Sequence, residues 1–166
     1  MSEIIIREAK LYDVPALARI ERDNFAHPWT AEQITDDIVR NQRSYVAVAE
    51  VDGEKAGYAD IWMVAGEAEL YNIVVDKPFR GRHIGEMLLD HMIRKCLESG
   101  CEVLKLEVRR SNDAAISLYS KKGFEQTGLR KGYYAESGED AVLMDKTINA
   151  LDTDYNIDFE IEVETR

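Results

Sequence analysis

Two hydrophobic periods alternate along the chain. Residues 4–6 form a short apolar run that predicts a first strand. From Asp13, DVPALARIERDNF sets Val14, Leu17, Ile20 and Phe25 at roughly helical spacing. His27-Pro28-Trp29 breaks that pattern. Thr30 then predicts an N-cap for TAEQITDDIV, with Glu32 and Gln33 in its first turn. SYVAVAEV (44–51) reads as a strand, Asp52-Gly53 as a hairpin turn, and KAGYADIWMV and AELYNIVV as the rest of an antiparallel meander.

The second half switches period. After the turn RGRHIG (80–85), Ile84, Leu88, Met92 and Cys96 recur every fourth residue, flanked by Gly85, Leu89, Ile93 and Leu97. They make one broad apolar helical stripe that runs to about Glu98 and ends at Gly100. CEVLKLEVR predicts a strand with Leu104, Leu106 and Val108 on one face and Lys105, Glu107 and Arg109 on the other. Ser111-Asn112-Asp113 caps a short helix through Lys122 that Gly123 ends. Phe124 onward and residues 141–144 predict two last strands. The mixture implies an α/β or α+β domain around a mixed sheet.

The segment DYNIDFEIEVE is different. Tyr155, Ile157, Phe159, Ile161 and Val163 alternate with polar and acidic residues, a period-2 pattern with one acidic face. The expected organisation is one domain over residues 1–149 and an acidic C-terminal tail over 150–166. The tail would be an extra edge strand, a strand exchanged between subunits, or a frayed or mobile arm.

Composition narrows the chemistry. At 166 residues the chain suits one domain with one sizeable core. Its net charge is −11, of which residues 152–166, with six acids and one arginine, supply about −5. That balance disfavours nucleic acid and anionic membranes, which attract basic surfaces. No apolar run nears the roughly 18 residues of a membrane helix, and the start lacks a signal-peptide core, so a cytoplasmic location is expected. Cys96 and Cys101 form no CxxC pair and predict reduced core thiols. His27, His83 and His91 are scattered without ligand spacing, so no metal is expected.

The turn RGRHIG invites a chemical reading. A helix N-terminus leaves backbone N–H groups unpaired and carries partial positive charge, which makes it an anion site. Arg80 and Arg82 add charge, and Gly81 and Gly85 permit close approach. The sequence is neither a Walker loop nor GxGxxG. On its own the turn is equally an ordinary strand-to-helix connection with exposed arginines.

ELYNIVVDKPFRGRHIGEMLLDHMI resembles the acetyl-CoA-binding segment of the GNAT acetyltransferases, whose pattern is Arg/Gln-x-x-Gly-x-Gly/Ala. It maps onto Arg80, Gly81, Arg82, His83, Ile84 and Gly85, with His83 where the first glycine is usual. IERDNFAHPWT, LEVRRSNDAAISLYSKKGF and RKGYYAESGEDAVLM resemble the RimI branch of that family, in the same order over residues 4–146. That branch acetylates the N-terminal amine of a small-subunit ribosomal protein. The resemblance implies a GNAT fold, a mixed and mostly antiparallel sheet flanked by helices.

It also implies acetyl-CoA as co-substrate. The pyrophosphate would be held by the backbone of residues 80–86 (Arg80, Gly81, Arg82, His83, Ile84, Gly85 and Glu86), with the pantetheine arm along Ile73, Val74 and Val75. If the His83 position requires a positive φ, histidine is strained there or the loop shifts. Glu107 is implied as general base and Tyr119 as the acid for the departing thiolate. Asn112 would contact CoA, cap a helix, or do both. Phe25, Trp29, Tyr133, Tyr134 and the SGED turn (137–140) would line a peptide groove.

From periodicity alone, Glu107 reads as a salt-bridged strand residue and Tyr119 as a core aromatic. An α-amine of pKa about 7.7–8 is roughly 10% neutral at pH 7, against roughly 0.04% for a lysine, so an N-terminal acceptor needs less help. The alternatives are a GNAT acting on lysine side chains or a small amine or polyamine, and a CoA-binding module without turnover.

Overall fold

The computed structural model describes residues 2–149. The strands are β1 (Ile4–Glu8), β2 (Ser44–Val51), β3 (Glu54–Val64), β4 (Glu67–Val75), β5 (Val103–Arg109), β6 (Glu125–Tyr134) and β7 (Glu139–Thr147). The helices are α1 (Val14–Asn24), α2 (Ala31–Thr35), α3 (Ile84–Glu98) and α4 (Asp113–Lys121). The seven strands form one sheet in the order β1-β2-β3-β4-β5-β7-β6, and only the β4–β5 pair is parallel among the described residues. The acidic tail expected at 150–166 lies outside the described residues.

Local chemistry explains most element ends. Thr30 caps α2 through a capping box: its side chain accepts from the Gln33 N–H at 3.1 Å, and Gln33 accepts from the Thr30 N–H at 2.8 Å. Beyond Thr35 the helix widens into one π-turn, Asp36–Arg40. Asp52 and Gly53 have φ of 49° and 83°, both positive as a type I′ hairpin turn demands. Asn112 caps α4 by accepting from the Ala115 N–H at 3.2 Å. Phe25 departs from its helical pattern. It ends α1 in an extended conformation and is 40% exposed, because the His27-Pro28-Trp29 break already turns the chain there.

The sheet has a core on each face. On one, α3 lays Leu88, Leu89, Met92, Ile93 and Cys96 over Ala47, Ala59, Ile61, Leu104 and Leu106, and Tyr119 and Phe124 extend that core beside α4. On the other, Leu17, Ile20 and Ile34 pack on Val46, Val48, Tyr58 and Val74. β5 alternates as its sequence predicts, with Leu104, Leu106 and Val108 buried and Lys105, Glu107 and Arg109 half-buried. Cys96 and Cys101 are buried free thiols.

One register feature shapes the molecule. β5 pairs with β7 along its whole length, from Val103 opposite Thr147 to Arg109 opposite Ala141. Its pairing with β4 covers only Glu67, Ala68 and Glu69. Beyond Glu69 the two strands have no mutual pairing. β4 also bulges there: Asp60 pairs with Asn72 and Ile61 with Leu70, so Tyr71 is the extra residue. A bulge bends its strand and sharpens the twist. Gly57 holds β3 tightly against the far end of β4, where a Cβ would lie 2.4 Å from the Val74 carbonyl oxygen. Gly57→Ala should therefore cost about 3 kcal/mol or more of stability, as forced overpacking against backbone does. Urea unfolding measures it, and an unchanged midpoint would contradict the close approach of β3 and β4.

Candidate active site

The mutually unpaired edges of β4 and β5 carry candidate residues of both halves, Ile73, Val74 and Val75 on one strand and Glu107 on the other. The loop from β4 to α3 is pinned from beneath. The Asp76 carboxylate accepts from Arg19 at 3.1 Å, from the Asn24 amide at 2.9 Å and from the Lys77 N–H at 3.1 Å. Arg80 closes the knot, donating to the Val75 carbonyl at 3.0 Å and to the Asn24 side-chain oxygen at 2.9 Å. Its guanidinium thus spends part of its hydrogen-bonding capacity on the loop itself. Arg82 lies over the Phe79 ring, 5.8 Å from its centroid.

Above this knot the backbone turns left-handed twice. Gly81 has φ 82° and His83, the N-cap of α3, has φ 60° and ψ 19°. Residue 83 does take a positive φ, and a non-glycine residue occupies it. Histidine is among the side chains enriched in that region. Its ring is 81% exposed, with Nδ1 3.4 Å from Glu86. The first helical bond runs from the Met87 N–H to the His83 carbonyl at 3.0 Å. The backbone N–H groups of residues 81–86 have no acceptor among the described residues.

Gly85 is not demanded by the chain's own packing, since a Cβ there would meet only Val75 at an ordinary 3.7 Å. Unpaired donors, a helix N-terminus and an uncovered glycine together fit a polyanionic phosphate group. Glu86 contributes its amide, while its carboxylate turns away to Lys122 at 2.8 Å and Lys121 at 3.0 Å.

Glu107 and Tyr119 come from opposite faces of the sheet. Glu107 projects from β5 on the side of α1 and α2, 3.4 Å from Arg130 and hydrogen-bonded to Tyr133. The bulge residue Tyr71 feels its charge, after burial and Glu69, and holds its proton more tightly for it. Tyr119 is 6% exposed and belongs to the α3–α4 core, its ring 5.6 Å from Phe124. Burial first, then Tyr134, pushes its hydroxyl up to about 12.

Tyr134 links the two sides. It stacks under Arg109 at 3.9 Å, meets Tyr133 edge-on at 5.2 Å, feels Glu107 after burial and Arg109, and itself acts on Tyr119. The SGED turn is anchored to the end of β5: Glu139 accepts from the Ser111 N–H at 2.7 Å, and Asp140 pairs with Arg110 at 3.3 Å. Asn112 spends its side-chain oxygen on the α4 cap. Ile73 and Val75 are half-buried and Val74 is buried, all three paired with β3 and unpaired on the β5 side.

Several neighbours of this cluster were invisible in the sequence. Arg130 and Tyr71 reach Glu107 only through the fold. Glu21 is buried in α1, where one oxygen accepts from Tyr58 and Asn72 and the other from the Trp29 N–H at 3.2 Å.

Residues 14–124 match the model of the acetyltransferase (GNAT) family. A Bacillus subtilis protein provisionally named as a ribosomal protein bS18 alanine N-acetyltransferase is 38% identical over 144 residues, covering 87% of this chain and 95% of its own. The Salmonella typhimurium protein named as that enzyme is 38% identical over 134 residues, 80% of this chain and 89% of its own. A crystal structure of the ribosomal-protein alanine N-acetyltransferase from Escherichia coli superposes with TM-score 0.82 at 33% identity, covering 89% of this chain and 95% of that one.

The Glu86 ion pairs yield a pH dependence. Lys122 first, then Lys121, hold the Glu86 carboxyl down to about 2, below its ordinary 4.5. A depressed folded-state value stabilises above the unfolded value and is lost on acidification. The wild-type chain should therefore lose stability between about pH 4.5 and 2 that Glu86→Gln does not lose. Urea unfolding across that window tests it. Parallel wild-type and variant curves would refute the pairing.

Proposed function

The chain belongs to the acetyltransferase (GNAT) family, an acetyl-CoA-dependent N-acetyltransferase, and from that premise we propose that its acceptor is the N-terminal α-amine of a protein, specifically a small-subunit ribosomal protein. The relatives that span nearly the whole of residues 2–149 carry that activity in their names. The observation that supports the reading most is that Tyr134 is coupled both to Glu107 on one face of the sheet and to Tyr119 on the other.

In this reading the amides of residues 81–86 hold the pyrophosphate of acetyl-CoA. The open edge of β4 at Ile73, Val74 and Val75 offers backbone groups to the amides of the pantetheine arm. Asn112 lies at the start of α4 on the same side as Tyr119. The acceptor amine enters from the α1–α2 face, between Phe25 and Trp29 on one side and Tyr133, Tyr134 and the SGED turn on the other. A cytoplasmic location goes with such a substrate.

The chemistry follows from the two faces. Glu107 accepts a proton from the acceptor amine as its nitrogen bonds to the acetyl carbon. The carbon–sulfur bond then breaks and the electron pair leaves on sulfur. Tyr119 supplies the proton to that thiolate. Its raised affinity for the proton keeps the phenol protonated at neutral pH, so the donor is always loaded. A thiolate whose conjugate acid lies near 8.5 takes the proton only when it forms beside that hydroxyl. No side chain needs to carry the acetyl group, so transfer is direct, within a complex of both substrates.

Glu107→Gln and Tyr119→Phe should each lower kcat by roughly 10²–10⁴-fold, the usual range for a positioned acid or base. Neither should change acetyl-CoA affinity. Thiol release with a peptide library, followed by mass spectrometry, should find the label on α-amines. Label confined to lysine ε-amines or small amines would replace this reading with the side-chain or polyamine one. Tight acetyl-CoA binding with no turnover would make the chain a binding module.

A further inference from the structure

A cavity of about 550 Å³ opens between α2 and the adjoining ends of β3 and β4, within the size range of small-ligand sites. Trp29, Trp62 and Tyr71 form aromatic walls, and Asp36, Asp37 and Arg40 supply its charge. The rings of Trp62 and Tyr71 lean together with centroids 4.5 Å apart. Trp62 donates its indole N–H to Asp37 at 3.1 Å, and Asn41 donates to the other Asp37 oxygen at 3.3 Å.

Beneath Asp37 lies Asp60, 1% exposed and hydrogen-bonded to it, with one carboxyl oxygen that has no partner. Burial, then the bond and charge of Asp37, push Asp60 up to about 10. Asp60 therefore keeps its proton at neutral pH. The fold thus sets the Asp36 and Asp37 carboxyl groups beside an aromatic box. Guanidinium and ammonium groups bind such combinations of ring faces and carboxylate.

Arg40 is the box's internal competitor. Its pair with Asp36 is an i,i+4 contact with both side chains exposed, a kind of contact that contributes little. An incoming cation can therefore displace it. The cavity also adjoins the transfer site, because Tyr71 lines it and feels both Glu69 and Glu107. Its walls are fixed in advance. Glu21 ties the Trp29 backbone to Asn72, the residue beside the bulge at Tyr71.

We propose that this cavity receives a cationic side chain, arginine or lysine, from the first few residues of the acceptor peptide. The proposal rests on the reading of the chain as a protein N-terminal acetyltransferase and names a specificity element within it. An α-amine poised at Glu107 leaves the next residues of an extended chain, each about 3.3–3.6 Å long, to pass over Tyr71 into the cavity.

The test uses peptide pairs that differ only in arginine or its neutral isostere citrulline at position two, three or four. At one of these positions kcat/KM for the arginine peptide should exceed that for citrulline by about tenfold, the scale of one cation–π or charge-assisted contact. The ratio should fall towards one in Asp37→Asn. It should fall likewise in Asp36→Asn, whose exposed side chain makes loss of folding no explanation. Ratios within twofold of one at every position, or a preference that survives both substitutions, overturn the proposal. Absence of α-amine acetylation with any peptide would instead remove the reading beneath it.

Discussion

β4 and β5 share only three residue pairs, Glu67 to Glu69 against Val103 to Lys105, and the gap on which the proposed site depends exists because they share no more. β5 cannot follow β4, since β7 holds it along its full length. β4 cannot follow β5, since Gly57 locks its far end to β3 and the bulge at Tyr71 bends it. The central sheet is thereby left with open backbone edges in its middle. An unmet backbone group away from water costs about 1–3 kcal/mol, which a ligand bearing its own amides can recover. Opening the sheet also joins its two faces, so a group above it and a group below it can act on one bond.

The loop after β4 works to the same end by different means. Asp76, Asn24, Arg19 and Arg80 tie it to the end of α1, so it approaches α3 in a fixed conformation. His83 holds the left-handed position from which the helix starts, with its ring in solvent. The unpaired amides behind it are already oriented, so binding an anion there requires little reordering. The charged side chains around the loop mostly serve its shape. Arg80 braces the turn and Glu86 braces α4 through Lys121 and Lys122.

Much of this was legible in the sequence because it is periodic or local. The α3 stripe, the β5 alternation, the Asp52-Gly53 hairpin and the caps at Thr30 and Asn112 each rest on residues within a few positions of one another. The reading of Phe25 as part of the first helical pattern failed, since three fitting positions do not show where a helix stops. The bulge at Tyr71 leaves no mark in ELYNIVV, which alternates acceptably with or without it. The contact of Glu21 with Asn72 spans 51 positions. The pairing of Asp37 with Asp60 joins a helix to a strand, and a lone carboxylate in DIW gives no hint of burial. Glu107 and Tyr119 stood out through family resemblance, while their arrival from opposite faces required the topology.

The central claim is that the gap between β4 and β5 and the amides at the start of α3 together form the acetyl-CoA site. Amide chemical shifts of the ¹⁵N-labelled chain, followed during titration with acetyl-CoA, test it most directly. The account predicts that residues 72–75 and 81–86 shift together along one binding curve. Shifts that gather instead in the groove between α4 and β6, with those two segments unmoved, would contradict it.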